Sequence, residues 1–404
     1  NQRFRDNSVG LFAKYDLKKV QIAASFDFTQ DVDYFYGYNQ VDTSFESSSI
    51  KHRVREMGGD ISIQNSILGK NNFDHKQVVS TSFANDNFKV NEWYLNYKAD
   101  FTKVNKNKHF FNINADFDVS NYTPSAPGRG DLEREVFQFG GSYTFNNDDW
   151  KLTAGVTAAI GDINDDQQFN IYPKLYTEKS LFKNYLIFYS GWSRRLQKNT
   201  YLNFAQENPF VNYDIMLENS REEDRMAGFK GTAGQFTYNA RFSNKVVKGM
   251  PLFVNDSLDM KRFDVVYDKN TTVININVEA GYDWNNKLRS ILVLDFMLYE
   301  LDGQAKAWHL PMLSTNFSTS YLLKEKLLMN AEVFGVAGAF ARDENGDAQK
   351  IRGMADVNLG ANYQFTKYLS FFTQLNNLAN FKYQKWYNYP TFGFNAMVGV
   401  QFRY

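Results

Sequence analysis

Residues able to do chemistry are few in this chain, and they are scattered. The four histidines, His52, His75, His109 and His309, stand in separate segments with no metal-ligand spacing. Each reads as a polar wall or interface residue before it reads as a ligand. Carboxylates gather at three places: Asp162, Asp165 and Asp166; Glu222, Glu223 and Asp224; Asp343, Glu344 and Asp347. Clustered carboxylate oxygens on a loop can hold a hard divalent cation, and the third group is the strongest metal candidate. A solvated loop is the plainer account of each group, and no metal site is expected. Arg129, Gly130 and Asp131 spell an adhesion-like tripeptide that a loop can carry by chance. Neither a Gly-x-Ser-x-Gly elbow nor a phosphate-binding loop occurs. A site assembled from distant strands would leave no motif, yet nothing here calls for a catalytic residue or a cofactor, and an enzyme is the last of the readings.

What must position these residues follows from composition. Of 404 residues, 17% are aromatic, with 37 Phe and 25 Tyr, yet the mean hydropathy of −0.51 is that of a water-soluble protein. Strands with one lipid-facing and one wet face reconcile the two, because polar and apolar residues alternate and cancel in any windowed average. No run approaches the roughly eighteen apolar residues that a membrane helix needs. Lys plus Arg equals Asp plus Glu at 45 each, so no global basic field points to nucleic acid. The chain has no cysteine, which suits passage through an oxidising compartment.

Period-two alternation recurs in about nineteen segments, many at or above the ~9–11 residues that cross a bilayer obliquely. In the last of them, Phe392 to Tyr404, the apolar residues Phe392, Phe394, Ala396, Val398, Val400, Phe402 and Tyr404 enclose Gly393, Asn395, Gln401 and Arg403. The polar partners of the same alternation elsewhere are Asn112, Asn114, Asp116, Asn275, Glu279, Asp283, Asn358 and Asn362, with Lys98 and Arg403, and they are expected to face a wet lumen. Outward aromatics near strand ends, such as Trp93, Trp284 and Tyr363, suit the girdles of a membrane interface. Connections alternate in length. Tight turns are expected at Asp16 to Lys19, Asn146 to Asp149, Asn285 to Lys287, Leu323 to Lys326 and Thr366 to Tyr368, and long loops near 37–49, 122–134, 196–223, 301–309, 342–351 and 380–391. Lipid offers no partner to a bare backbone N–H, so such strands must close on one another. The expectation is an all-β transmembrane antiparallel up-and-down β-barrel in the outer membrane, a single barrel domain over 1–404, with the C-terminus and the N-terminal side in the periplasm and the long loops outside.

The C-terminal stretch Leu369 to Tyr404 resembles the closing hairpin of TonB-dependent outer-membrane receptors, in the Phe- and Tyr-rich style of their Bacteroidetes members. The residues that carry the resemblance are Asn377 and Leu378 near the end of the penultimate strand, Tyr383 in the loop, and Pro390 with Gly393 before a last strand ending on Tyr404. The resemblance implies import of a ligand through the barrel, a TonB-type energiser, and a barrel-assembly signal for the assembly machinery in Val398, Val400, Phe402 and Tyr404. It also implies an N-terminal plug and a TonB-contacting box, and neither is found. An even strand count of 20–22 is expected. A first strand at Val9 to Leu17 running downward would leave at least one strand unaccounted for, through an absent N-terminal part or a miscounted hairpin in 67–87 or 243–271. Alternatives stay open: a non-transporting subunit of a complex with other outer-membrane proteins or lipoproteins, or a passive porin. Each would contact outer-membrane lipid and lipopolysaccharide, and none nucleic acid.

Overall fold

A computed structural model of the chain describes residues 4–37, 50–65, 72–106, 108–125, 130–163 and 166–403. Twelve strands come first: β1 Phe4–Asp16, β2 Val20–Tyr34, β3 Lys51–Asn65, β4 Phe73–Asp86, β5 Asn91–Asn105, β6 His109–Thr123, β7 Leu132–Asn146, β8 Trp150–Ile163, β9 Asp166–Phe182, β10 Leu186–Gln197, β11 Ser220–Ala233 and β12 Phe236–Lys248. A short helix, α1 (Tyr201–Glu207), lies between β10 and β11. The hairpin β13 (Met250–Asn255) and β14 (Phe263–Asp268) precedes β15 Thr271–Trp284, β16 Leu288–Glu300, β17 Leu313–Leu323 and β18 Leu327–Ala337. The chain ends with β19 Phe340–Arg342, β20 Ala348–Lys350, β21 Met354–Gln364, β22 Leu369–Asn376, β23 Gln384–Trp386, β24 Tyr389–Pro390 and β25 Asn395–Phe402.

Nineteen of these strands form one antiparallel sheet, while β13–β14, β19–β20 and β23–β24 are separate two-stranded ladders inside the long connections. Sheet strands pair with their neighbours in the chain, and β18 reaches β21, and β22 reaches β25, by stepping over a small ladder. The tight turns use left-handed backbone: Asn285 and Asn286 have φ of 50° and 55°, and Lys324 and Glu325 have 49° and 60°. Each pair opens a three-residue loop, between the partners Trp284 and Leu288 and between Leu323 and Leu327. The chain divides into two compact units. Unit 1 comprises 1–178, 191–224 and 247–270, and unit 2 comprises 179–190, 225–246 and 271–404.

Register shows how each unit sorts its side chains. In unit 1, Phe28 opposes Met57, Met57 opposes Phe83 and Phe83 opposes Trp93. Met57, Phe83 and Trp93 remain 50%, 41% and 41% exposed. On the other face Thr29 opposes Glu56, Glu56 opposes Ala84, Ala84 opposes Glu92 and Glu92 opposes Tyr122. Unit 2 repeats the pattern, with Leu292, Phe317, Val333 and Val357 in one row and Ser318, Glu332 and Asn358 in another. A continuous apolar face left uncovered by protein is what a lipid-facing sheet presents.

The last strand is shorter than the alternation predicts. β25 begins at Asn395, because Phe392 and Phe394 are bonded by loop side chains rather than by the ladder: Asn377 Nδ2 donates to Phe392 O (2.7 Å), and Phe394 N donates to Asn380 Oδ1 (2.9 Å). Val398, Val400 and Phe402 lie opposite Thr373, Phe371 and Leu369 and are exposed. Tyr404 falls outside the described residues.

Candidate functional site

The long connection between β10 and β11 does not stand away from unit 1 but folds against its polar face. Within it Thr200 is the N-cap of α1, with extended backbone (φ −120°, ψ 156°) and a hydroxyl that accepts from Asn203 N at 3.1 Å. Tyr201, Phe204 and Ala205, at i, i+3 and i+4, form the buried side of the helix. Two of its orphan N–H groups are taken by a wall carboxylate: Tyr201 N and Leu202 N donate to Glu92 Oε1 and Oε2, each at 2.9 Å. Glu92 is 3% exposed. From the neighbouring wall Arg134, equally buried, donates to Asn199 O and to Asn219 Oδ1, so one guanidinium holds both ends of the segment. Lys198 Nζ stands 3.7 Å from Asp118 Oδ1 and 5.4 Å from the centre of the Tyr94 ring. Burial lowers the Lys198 ammonium from 10.5 to about 8, against the pull of Asp118 in the other direction.

A second tie lies at His52. Its Nδ1 is 2.9 Å from Pro209 O, and since a carbonyl only accepts, that nitrogen carries a proton. Its Nε2 is 3.4 Å from Asp86 Oδ2 and 3.3 Å from the Tyr201 hydroxyl, which donates to the same carboxylate oxygen at 3.1 Å. The other oxygen of Asp86 accepts from Phe88 N and Val90 N, both at 2.8 Å. Burial, with Asp86 alongside, raises the Tyr201 phenol well above its usual range and keeps it a donor. The hairpin β13–β14 joins the same body: Phe263 N donates to Phe210 O (3.0 Å), Asn212 N to Phe263 O (2.7 Å), and Phe204 meets Phe253 edge-on at 5.7 Å. Next to it the Arg262 guanidinium sits 5.1, 4.8 and 4.4 Å from the rings of Phe35, Phe88 and Tyr213.

Beneath α1 lies a cavity of about 540 Å³. Its wall includes Glu56, Glu92, Asp116 and Asp118, and Thr200, Asn203 and Gln206 of the folded segment line it from the other side. Unit 2 borders cavities as well. One of about 1090 Å³ is bounded by Lys230, Glu279, Asp283 and Arg289, and one of about 570 Å³ by Glu332 and Asn358. Loops of unit 2 gather around His309, a buried non-glycine residue at φ 61°. His309 N donates to Phe340 O (2.7 Å), its Nε2 accepts from Tyr387 N (3.3 Å), and its ring lies 5.3 Å from that of Trp386.

The polar residues singled out by alternation distribute over these places. Asp116 accepts from Asn96 Nδ2 (2.6 Å), pairs with Lys98 at 3.7 Å and borders the unit 1 cavity. Asn112 donates to Thr102 Oγ1 at 3.0 Å, and Asn114 lies on the same face of β6. In unit 2, Asn275 donates to Asp295 Oδ1 (3.2 Å), Asp283 accepts from Asn286 N (3.2 Å), and Asn358 donates to Glu332 Oε2 (3.0 Å). Glu279 borders the larger cavity, and Asn362 lies opposite Leu328 and Phe372. The acidic loop candidate has a different use: Asp343 Oδ1 accepts from Asn345 N and Asp347 N, each at 2.9 Å, which is turn chemistry. Among the described residues no group of three His, Asp or Glu side chains, Glu344 included, is disposed to hold a metal. Arg129 and Asp165 fall outside the described residues.

The closing-hairpin residues have a structural logic. Asn377, at φ 51° and 6% exposed, donates to Phe381 O (2.8 Å) and Phe392 O (2.7 Å) and accepts from Phe381 N (3.0 Å), which fixes the loop at both ends. Leu378 N donates to Val357 O at 3.0 Å, and Tyr383 O accepts from Thr391 N at 2.7 Å. Pro390 pairs with Gln384 in the small ladder. At Gly393 a Cβ would come 2.4 Å from Asn380 Oδ1, so a side chain there would displace the very contact that sets the start of β25.

No protein-family model matches the chain, and no curated protein matches it. Solved structures do. The chain is similar to the copper transporter OprC, at 12% identity over 99% of this chain and 72% of that one, with a TM-score of 0.72. It is similar to the FrpB iron transporter from Neisseria meningitidis (F3-3 variant), at 12% identity over 99% and 71% of the two chains and a TM-score of 0.74. The siderophore receptor PirA from Acinetobacter baumannii gives 8% identity, 99% and 71% coverage, and a TM-score of 0.73. These neighbours are TonB-dependent outer-membrane receptors, and what the chain shares with them is the transmembrane antiparallel β-barrel fold. The likeness of fold covers 99% of the chain.

Proposed function

We propose that the chain is the barrel of an outer-membrane active transporter that brings a ligand inward. The observation that carries this reading is the match of 99% of the chain to the folds of metal and siderophore receptors, together with a polar face that is lined with cavities and backed by an exposed apolar face. In this reading the polar set from Asn112 to Asn362 lines the lumen, the long loops lie outside the cell, and both the C-terminus and the N-terminal side lie in the periplasm. Val398, Val400 and Phe402, with Tyr404, form the signal read by the barrel assembly machinery. Lipid and lipopolysaccharide surround the apolar face, and a TonB-type partner supplies the energy. The test is uptake of iron and copper chelates by cells with and without the protein. Uptake lost on deletion and on addition of a protonophore supports the reading, and unchanged uptake of every chelate sinks it.

A second reading has an observation of its own. The folded segment of unit 1 occupies the polar face and is tied there by Glu92 and Arg134, as a barrel that no longer transports and serves as a subunit of an envelope complex could retain. Copurification with other outer-membrane proteins, together with uptake that survives deletion, would favour it.

A further inference from the structure

We propose that Lys198 is a covalent capture site for small neutral hydroxyaldehydes, which it holds as a protonated imine inside the acidic chamber of unit 1. The Lys198 side chain lines the chamber and is only 5% exposed. Leu196 and Val136, both buried, line the same chamber and withhold solvent from the amine. None of its contacts is tight. Nζ stands 3.4 Å from Arg134 O, 3.7 Å from Asp118 Oδ1 and 5.4 Å from the centre of the Tyr94 ring, against the ~2.7–2.9 Å of a strong charge-assisted bond. A desolvated amine with a second cation for a neighbour is the setting that makes lysine a nucleophile. Burial, aided by the Arg134 guanidinium, outweighs the pull of Asp118 and Glu92 and brings the ammonium down to about 8.

The surroundings select the electrophile. Asp118 Oδ1 is buried and accepts no hydrogen bond from any described residue, so the Lys198 cation is its compensation. Acylation or carbamylation would abolish that cation and strand the carboxylate. An imine keeps it. The neutral Nζ adds to the aldehyde carbon, the carbinolamine loses water, and the nitrogen retains one proton beside Asp118; protonated lysine and aldehyde thus give iminium and water, with no oxidant or reductant. Hydroxyls and an amide from Thr29, Ser80, Ser82 and Gln138 line the chamber and suit a carbonyl compound that carries hydroxyls. Glu56, Asp116 and Asp118 repel one that carries a carboxylate. Every group in this site belongs to unit 1, so the capture does not depend on transport through the barrel.

The test is reductive trapping. The purified protein in detergent, its fold checked by heat-modifiable gel migration, is incubated at pH 8 with cyanoborohydride and either glycolaldehyde or its carboxylate counterpart, glyoxylate. Peptide mass spectrometry then gives the rate of adduct formation at each lysine. Two lysines serve as references: Lys98, which borders the same chamber but is 55% exposed, and the exposed Lys269. At that pH about half of the Lys198 amines are neutral, against roughly 0.3% of ordinary ones. Glycolaldehyde should therefore modify Lys198 about tenfold or more faster than either reference, with the advantage shrinking as the pH climbs toward 10.5. Glyoxylate should show little or no such advantage. Asp118→Asn, which keeps the shape of the wall and removes its charge, should narrow the difference between the two aldehydes, and Lys198→Met should abolish the fast adduct. Modification of Lys198 no faster than Lys269 overturns the capture site. An equal advantage for both aldehydes, or a preference that Asp118→Asn leaves unmoved, overturns the selection by the acidic wall.

Discussion

In unit 1 the connecting segments are held down by buried ions as well as rings, whereas in unit 2 the hold rests on rings and backbone bonds. Segment 198–219 and the hairpin after it are bonded by Glu92, Arg134 and Asp86, and their own Lys198 and Arg262 reach Asp118 and the rings of Phe35 and Phe88. Loops 301–312, 338–353 and 377–394 of unit 2 instead bury Trp308, Trp386 and Tyr389 and pass their backbone bonds through His309. The two chemistries release differently. Aromatic packing loosens gradually with the area exposed, but a buried ion contact fails at once when one partner goes, because the other is left charged in a poor solvent. The polar ties of unit 1 thus fail in one step when a partner is removed, and the ring contacts of unit 2 by degrees.

That contrast can be broken by substitution. The largest effect is expected at Trp386→Ala, which removes a 6% exposed ring packed at a tilt against His309 and should cost about 4 kcal/mol, read as loss of hydrogen-exchange protection at the Tyr387 amide. Protection of the Tyr201 amide should stay as it was, and a joint loss would show that the two loop systems are not independent. Next comes Asp86→Ala, which strips acceptors from Phe88 N, Val90 N and the Tyr201 hydroxyl. It should cost roughly 3 kcal/mol, with the same measurement reporting at Tyr201 and not at Tyr387. Arg262→Ala, by emptying the cage of Phe35, Phe88 and Tyr213, should cost about 2 kcal/mol, with Arg262→Lys retaining part of it.

A smaller effect sharpens the electrostatic side of the comparison. Lys198 titrates at about 8 in the fold, against 10.5 as its ordinary value. Between those values the unfolded chain binds more protons, so this group's contribution to stability rises as the pH climbs from about 8 toward 10.5, and its charge is a burden below that window. The urea midpoint of the protein should therefore gain on that of Lys198→Met between pH 7.5 and 10; a constant difference would refute the assignment. The smallest effect belongs to Arg195, which meets Glu222 at 2.5 Å but is 65% exposed. Arg195→Ala should change stability by less than about 0.5 kcal/mol, and salt should erase even that.

Much of the sheet is legible in the sequence because its rule is local. A strand flanked by lipid and water must alternate residue by residue, and segments such as Thr271–Trp284 and Met354–Gln364 do so without help from the rest of the fold. The turns at Asn285 and Asn286 announce themselves by residue type. The inner parts of the long loops do not. Seven residues of helix are too few to be stable alone, and α1 exists because Glu92, more than a hundred residues earlier, takes its N–H groups. Thr200 followed by Tyr201, Phe204 and Ala205 is a usable cap and stripe that alternation counting passes over. Glu92 and Arg134 cannot be told from the other polar residues between apolar ones, since what sets them apart is the segment folded onto them. The same holds at the C-terminus, where alternation runs on through Phe392 but the side chains of Asn377 and Asn380 end the ladder at Asn395.

Arg134 carries a last consequence. By bonding to Asn199 and Asn219 it brings together the two ends of a segment some twenty residues long, and so takes on the loop-closure entropy that a covalent cross-link would carry in another protein. A chain without cysteine has here a staple made of a planar cation, one that no reductant can cut but that another planar cation can replace. Guanidinium ion offers the same fork of donors to the same oxygens. At concentrations too low to unfold the sheet it should therefore loosen this segment well before urea does.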